Sequence, residues 1–139
     1  PLVPLRDEEV LEKSFGFASY ASHDEELLEI VDRHADSIIA VLSGHLHLTG
    51  VVCRKGIHHV SIAGTASYPC DFASFEVYPD RIRMKVQGLP PHLVTPETNI
   101  HGRLRHGTDF TDATHATADA YVMGNPNERT VDMPLPRRL

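Results

Sequence analysis

Residues 37–47 read SIIAVLSGHLH, an apolar run that ends in a glycine and two histidines separated by one residue. The run does not alternate between polar and apolar residues and is rich in β-branched side chains, which is typical of a strand covered on both faces. Open α/β sheets place ligands where such strands end. The stretch therefore predicts a buried strand whose carboxyl end presents His45 and His47 at a binding site.

The histidine pair alone is weak evidence for a metal site, because ten histidines in 139 residues produce roughly 0.6 such pairs by chance. In an extended segment, side chains two residues apart point the same way, so His45 and His47 would converge while Leu46 points away. Gly44 would leave room for a loop, a substrate or an ion. Neutral imidazoles are common ligands of Zn, Mn and Fe, so a metal site and a pair of solvated loop histidines both remain open.

The residues before this stretch favour helices. Acidic residues followed by apolar ones predict a short helix that starts near Asp7. Residues 22–25 (Ser-His-Asp-Glu) form a capping box, and apolar residues then recur at helical spacing, which predicts a helix over residues 23–34.

The residues after it favour strands. Short β-type runs on either side of turn residues predict two hairpins. The first pairs residues 50–53 with 57–63, and the second pairs residues 72–78 with 81–86. This order of elements predicts a mixed α/β layer structure.

The composition changes after Gly88. Residues 89–139 contain most of the ten prolines, many polar residues and few periodic apolar ones, which predicts an extended, loop-rich C-terminal arm. We therefore expect two parts, a folded part over residues 1–88 and the arm over residues 89–139.

Charge and cysteine content restrict the function. The net charge is −6, which disfavours binding to nucleic acid. No apolar run reaches the roughly 20 residues of a membrane span, so we expect no membrane contact and a cytoplasmic chain.

Cys53 and Cys70 lack the Cys-x-x-Cys spacing of zinc and redox sites, and we expect two reduced thiols. The sequence starts at Pro1 without methionine, so we expect a processed chain or a piece of a longer one, in which an upstream signal would be invisible.

Helix, apolar strand, Gly-His-Leu-His and two hairpins together resemble the C-terminal part of the calcineurin-like metallophosphoesterases, whose last motif is Gly-His-x-His. Pro1-Leu2 also resembles the residues that follow the preceding metal-binding histidine of that family. The resemblance covers residues 1–88 and implies the C-terminal half of a four-layer α/β/β/α sandwich. It implies that His45 binds one of two divalent metal ions (Mn, Fe or Zn) and that His47 binds the other.

Other motifs of that family are missing. The chain has no Asp-x-His, Gly-Asp-x-x-Asp or Gly-Asn-His motif in a suitable place. Residues 32–34 (Asp-Arg-His) fall in the last turn of the predicted helix, where residues two apart point about 200° away from each other, so we interpret them as a charged helix end. Residues 124–126 (Gly-Asn-Pro) have proline where the family has its catalytic histidine. The chain thus resembles half of an active site, without the bridging carboxylate.

Two other groups were weighed as site residues. His58 and His59 are adjacent on a predicted strand, so we expect them to face opposite ways, one inside and one outside. Residues 68–71 (Tyr-Pro-Cys-Asp) either line a pocket near the metals or simply form a turn.

Two functional hypotheses follow. In the first, the parent protein hydrolyses a small phosphomonoester or phosphodiester at a two-metal centre. This chain then supplies the last histidine motif, is inactive alone, and self-associates or pairs with a missing N-terminal half, because a half sandwich exposes an apolar face. In the second, the chain is a non-catalytic β-rich interaction module that docks through its C-terminal arm.

Overall fold

The computed structural model describes residues 1–6, 25–98, 104–106 and 122–136. Within these ranges the chain forms two three-stranded sheets and a separate two-stranded pair. The helices are α1 (Glu25–Arg33), a 3-10 turn (Pro91–Leu93) and α2 (Pro126–Arg129), and the strands are β1 (Ala40–Ser43), β2 (Gly50–Arg54), β3 (Ile57–Ser61), β4 (Asp71–Val77), β5 (Arg81–Gly88), β6 (Pro96–Thr98), β7 (Leu104–His106) and β8 (Thr130–Pro134).

Helix α1 occupies most of the predicted helix over residues 23–34. Glutamates lie in its first turn and Arg33 in its last, which complements the helix dipole. Val31 is buried, and Leu28 packs against a cluster of buried apolar residues, so the helix buries one narrow stripe. The predicted capping residues and the helix expected near Asp7 lie outside the described residues.

Sheet A has the strand order β1-β3-β2. The predicted β2–β3 hairpin is confirmed, and its two turn residues, Lys55 and Gly56, both have positive φ angles, as a type I′ turn requires. Strand β1 runs parallel to β3. The prediction that β1 is covered on both faces is wrong for the described residues, because β1 is an edge strand there and its Leu42 side chain is 59% exposed.

Sheet B has the strand order β4-β5-β8. The predicted β4–β5 hairpin is confirmed. Strand β8 was not expected, since residues 89–139 were predicted to form an extended arm. It pairs with β5 through residues such as Met84 and Val131, and Asp132 on its outer face forms an ion pair with Arg83. Thr130, Val131, Asp132 and Met133 do alternate between polar and apolar residues. The alternation is short and is followed by prolines, so the composition of residues 89–139 masks it.

Buried apolar residues lie on both faces of sheet A. Between the two sheets they are Val60, Met84, Val86 and Met133. On the other face lies a second cluster, against which Leu28 of α1 packs. Helix α1, sheet A and sheet B therefore form three successive layers, and the expected mixed α/β class is confirmed.

None of the helices in the described ranges is long and apolar enough to cross a membrane.

Candidate metal centre

The loop that follows β1 carries the two candidate histidines. Both have positive φ angles, +78° for His45 and +52° for His47. Histidine tolerates this left-handed region better than most residues, and the chain bends there. The prediction of an extended segment is therefore wrong, and the two-residue alternation on which the expected convergence rested does not apply. Leu46 does point into the protein, as expected, while His45 is exposed and His47 is half-buried.

Buried apolar side chains hold this loop in place. Leu46 and Leu48 are buried beside Val3 and Leu5 from the start of the chain, and we call these four residues the N-terminal cluster. Val3 and Leu5 thus pack directly against the histidine loop. Because Leu46 and Leu48, the two neighbours of His47 in the chain, are both buried, the position of the His47 imidazole is restricted.

The end of the loop is held by polar contacts to the C-terminal region. The Thr49 N–H donates to the Val122 carbonyl at 2.8 Å, and Arg6 Nη2 donates to the Thr49 carbonyl at 2.7 Å. Arg6 also forms an ion pair with Glu128 of α2 at 2.6 Å. Gly124 has a φ of +75°, and a Cβ there would lie 2.9 Å from the Thr49 carbonyl oxygen, so this close approach requires glycine. The loop therefore rests between the two ends of the described chain.

Gly44 has a different environment. A Cβ at this position would meet nothing within 4 Å in the described part of the protein, and its φ angle is not positive. The protein's own packing therefore does not require glycine at this position. The predicted approach of an ion or substrate stays a prediction.

His47 has a buried partner that the sequence did not reveal. Its Nδ1 lies 2.5 Å from the hydroxyl oxygen of Ser67, and Ser67 is 1% exposed. Ser67 lies twenty residues further along the chain, in the turn region before β4, and serine is common in turns. Only the folded chain brings it to the histidine.

The predicted pocket residues 68–71 continue from Ser67 and have structural partners. The Tyr68 hydroxyl lies 3.5 Å from Met123 Sδ. Asp71 is buried, and both of its carboxylate oxygens accept bonds from Arg129, at 2.6 and 3.2 Å. Asp71 therefore fixes the start of β4 to α2, and burial and this carboxylate raise the pKa of the neighbouring Cys70 thiol.

The Asp-x-His sequence at residues 32–34 is part of a charged helix end, as predicted. The Asp32 carboxylate contacts Arg54 at 2.8 Å and Lys55 at 2.9 Å, both at the end of the β2–β3 hairpin. The hydrogen bond from Arg54 is the main reason that the pKa of Asp32 falls to about 2. These contacts fasten α1 to sheet A, so Asp32 has a structural role.

His58 and His59 lie on opposite faces of β3, as predicted. The expectation that one is inside and the other outside is wrong, because His58 is half-buried, His59 is buried, and apolar clusters lie on both faces of the sheet. His58 is half-buried and lies opposite Ala40, which packs against the core between the sheets. His59 is buried on the α1 side, and neither of its ring nitrogens has a hydrogen-bond partner in the described structure. Burial lowers the pKa of His59 below its usual range.

The described ranges contain no group of three or more His, Cys, Asp or Glu side chains that could hold a metal ion. A groove of about 930 Å³ lies elsewhere, between Asp36, Asp80 and Pro134, and neither His45 nor His47 lines it. The histidine loop thus offers imidazole nitrogens that packing holds in place, and the described residues do not complete them to a group of three or more possible ligands.

Comparison with protein-family models, with curated proteins and with solved structures found no match to this chain.

Proposed function

We propose that this chain carries the last two histidine ligands of a two-metal phosphoesterase centre. His45 would bind one divalent ion and His47 the other. The substrate class is a phosphomonoester or phosphodiester. Two divalent ions supply charge for the phosphate oxygens and lower the pKa of water, which is the chemistry that this hydrolysis needs.

One observation carries the proposal, namely the packing of the first residues of the chain against the histidine loop. The resemblance rests on two motifs more than forty residues apart, Pro1-Leu2 and residues 44–47. Val3 and Leu5 follow the first motif, and they share a buried cluster with Leu46 from the second. The residues next to the first motif thus pack against the second motif, and this proximity supports the proposal.

The residues of the loop fit a divalent ion as two of its ligands. Imidazole nitrogen suits Zn, Mn and Fe. His45 is exposed, so an ion can reach it from solvent, and His47 is half-buried beside a hydroxyl that can orient its ring. Such ions take at least four ligands, and the described residues form no group of three or more His, Cys, Asp or Glu side chains that could hold one. We therefore expect weak binding and very little hydrolysis by this chain alone.

We further propose that the two sheets belong to the α/β/β/α sandwich that the resemblance implies. Leu42 of β1 lies opposite Val60, while Phe75 and Val77 of β4 lie opposite Met84 and Ile82. Since opposite residues share a face, all three side chains point toward the space between the sheets. They are nevertheless exposed, Val77 by 75%. We call Leu42, Phe75 and Val77 the open seam, and it is where further strands would extend both sheets.

A metal-binding and hydrolysis assay tests the function. Mn²⁺ is titrated into the chain by calorimetry, and hydrolysis of a chromogenic bis-aryl phosphate is followed with Mn²⁺ present. We expect binding that His45→Ala and His47→Ala both weaken, and hydrolysis close to the background rate. His92→Ala, at an exposed histidine on the 3-10 turn, is the matched control. Strong hydrolysis that survives His45→Ala, or binding that neither loop substitution weakens, would contradict the proposal.

The alternative function is an interaction module that docks through its C-terminal arm. It is favoured by exposed leucines in the arm, since Leu93 is 63% and Leu104 is 70% exposed. Such a module needs no bound metal, so elemental analysis of the full-length protein, purified without chelators, separates the two functions. About one transition-metal ion or more per chain favours the phosphoesterase.

A measurement of self-association tests whether the open seam or the exposed leucines of the arm form the contact surface. An open seam of apolar side chains is normally covered by a partner, so we expect the isolated chain to self-associate in light scattering. Leu42→Lys combined with Val77→Lys should reduce the associated fraction. Leu93→Lys combined with Leu104→Lys is the matched change in the arm and should leave it unaltered. The reverse result would support the interaction module.

A further inference from the structure

Ser67 occupies an unusual place for a serine near a candidate metal ligand. Its side chain is 1% exposed, and its hydroxyl oxygen lies 2.5 Å from His47 Nδ1. The Ser67 carbonyl accepts the N–H of Cys70 at 2.5 Å, which closes a tight turn and fixes the residue just before β4. The hydroxyl is therefore held at one point beside the imidazole.

A hydrogen bond at Nδ1 has a direct consequence for the other ring nitrogen. A neutral imidazole has one nitrogen that carries a proton and one that carries a lone pair, and only the lone pair can bind a metal ion. Histidines that bind metals usually donate the proton of the other nitrogen to an oxygen, which sets the tautomer and the ring orientation. If Nδ1 carries the proton and donates it to Ser67, the lone pair lies on Nε2, which is then the nitrogen that could bind a metal ion.

We infer that Ser67 is a positioning residue for His47: its hydroxyl oxygen accepts the Nδ1–H proton and thereby turns the Nε2 lone pair of His47 toward the metal ion. This inference rests on the proposed function, because it assigns a role to Ser67 at the same site. It concerns the tautomer of the ring, which exists whether or not an ion is bound.

The tautomer of His47 can be measured without any metal. Nitrogen-15 chemical shifts of labelled histidines, recorded on the metal-free chain at a pH of about 8.5 where ordinary imidazoles are neutral, report which ring nitrogen carries the proton. We expect the wild-type His47 ring to carry it on Nδ1. A ring that carries it on Nε2 would overturn the inference, and this readout needs no substitution at the buried serine.

Substitutions then link the hydroxyl to the ring. In Ser67→Ala we expect the His47 shifts to move toward the tautomer mixture of a free imidazole, and Ser67→Thr, which keeps the hydroxyl, should restore the wild-type shifts. Ser74→Ala, at a serine on β4, is the matched control and should change nothing. Unchanged His47 shifts in folded Ser67→Ala would overturn the inference.

Zn²⁺ titration connects the tautomer to metal binding. Loss of the hydrogen-bonding partner of a metal-binding histidine typically weakens binding 10- to 100-fold, and we expect Ser67→Ala to weaken Zn²⁺ binding by about tenfold. If His47→Ala removes binding while Ser67→Ala leaves it unchanged, the inference fails and the proposed function stands. If His47→Ala has no effect on binding, the proposed function fails, whatever the tautomer measurement gives.

Discussion

The protein contains two histidine pairs that differ in their surroundings. His45 and His47 lie in a bent loop at the end of β1, where one ring is exposed and the other is half-buried against a serine hydroxyl. His58 and His59 lie on the central strand of sheet A, and the His59 nitrogens have no partner in the described structure. The first pair can be reached by an ion and has a group that orients one ring. In the second pair, His59 is buried and neither of its ring nitrogens has such a group among the described residues.

The difference shows why residue type and spacing are poor guides to a metal site. Both pairs are equally visible in the sequence, yet His58 and His59 lie on a strand in the packed interior of the protein. Accessibility to an ion and a hydrogen-bonding partner for the ring are what separate a candidate ligand from a buried histidine. Four substitutions test whether this distinction is real.

The largest effect is expected at Leu46, which anchors the histidine loop. Leu46→Ala removes a buried side chain from the N-terminal cluster, and such changes cost about 2–5 kcal/mol. We expect a loss of roughly 3 kcal/mol in the free energy of unfolding, measured by urea denaturation. Leu42→Ala, at a leucine that is mostly exposed, is the control and should cost far less. Equal losses would mean that the loop is not held by its leucines.

The next effect concerns metal affinity. His47→Ala removes a ligand, which should cost more than loss of the hydrogen bond that orients a ligand, so we expect Mn²⁺ binding to weaken by at least about 100-fold. His59→Leu should leave the affinity unchanged, because the His59 ring is buried away from solvent. Calorimetric titration of both variants provides the measurement. A loss of affinity in His59→Leu comparable to that in His47→Ala would remove the distinction between the pairs.

A smaller effect on stability is expected at His59. Its unpaired ring nitrogens cost free energy when buried, so His59→Leu should stabilise the fold by about 1 kcal/mol near pH 7. Burial lowers the pKa of His59 from its usual value of 6.5. The unfolded chain therefore binds this proton first, and the stability of the wild-type protein falls as the pH drops below about 6.5. That fall should be shallower in His59→Leu, whereas His92→Leu, at an exposed histidine, should keep the wild-type pH profile.

The smallest effect is expected at Asp32, whose Asp-x-His sequence imitates a metal motif. Asp32→Asn removes the pairing with Arg54 and Lys55, so we expect a slight loss of stability at neutral pH and no change in Mn²⁺ affinity. Because the pKa of Asp32 is lowered to about 2, the pairing stabilises the fold above the ordinary pKa of 3.8 and is lost as the pH falls toward 2. The difference between variant and wild type in thermal melts should shrink over that range. A large drop in metal affinity would instead make Asp32 part of the site.

Local patterns predicted the elements with strong local signals. The helical spacing around Leu28 and Val31, the two hairpins and the mixed α/β class all follow from residues close together in the chain. The failures involve contacts between distant residues. Strand β8 pairs with β5 between residues 45 to 53 positions apart, and Leu46, next to the bend at His45, packs against residues from the start of the chain. Neither periodicity nor composition reports such contacts.

By itself, the sequence determined that an apolar strand ends in Gly-His-Leu-His and that a helix and two hairpins surround it, because backbone propensity and periodicity are local properties. Only the tertiary structure decided which histidine has a partner. Ser67 contacts His47, Val3 and Leu5 pack against Leu46, and Asp71 forms an ion pair with Arg129. In each case the two residues are at least 20 positions apart in the chain. Such contacts depend on how the layers pack, so the site around the histidines becomes visible only after the chain has folded.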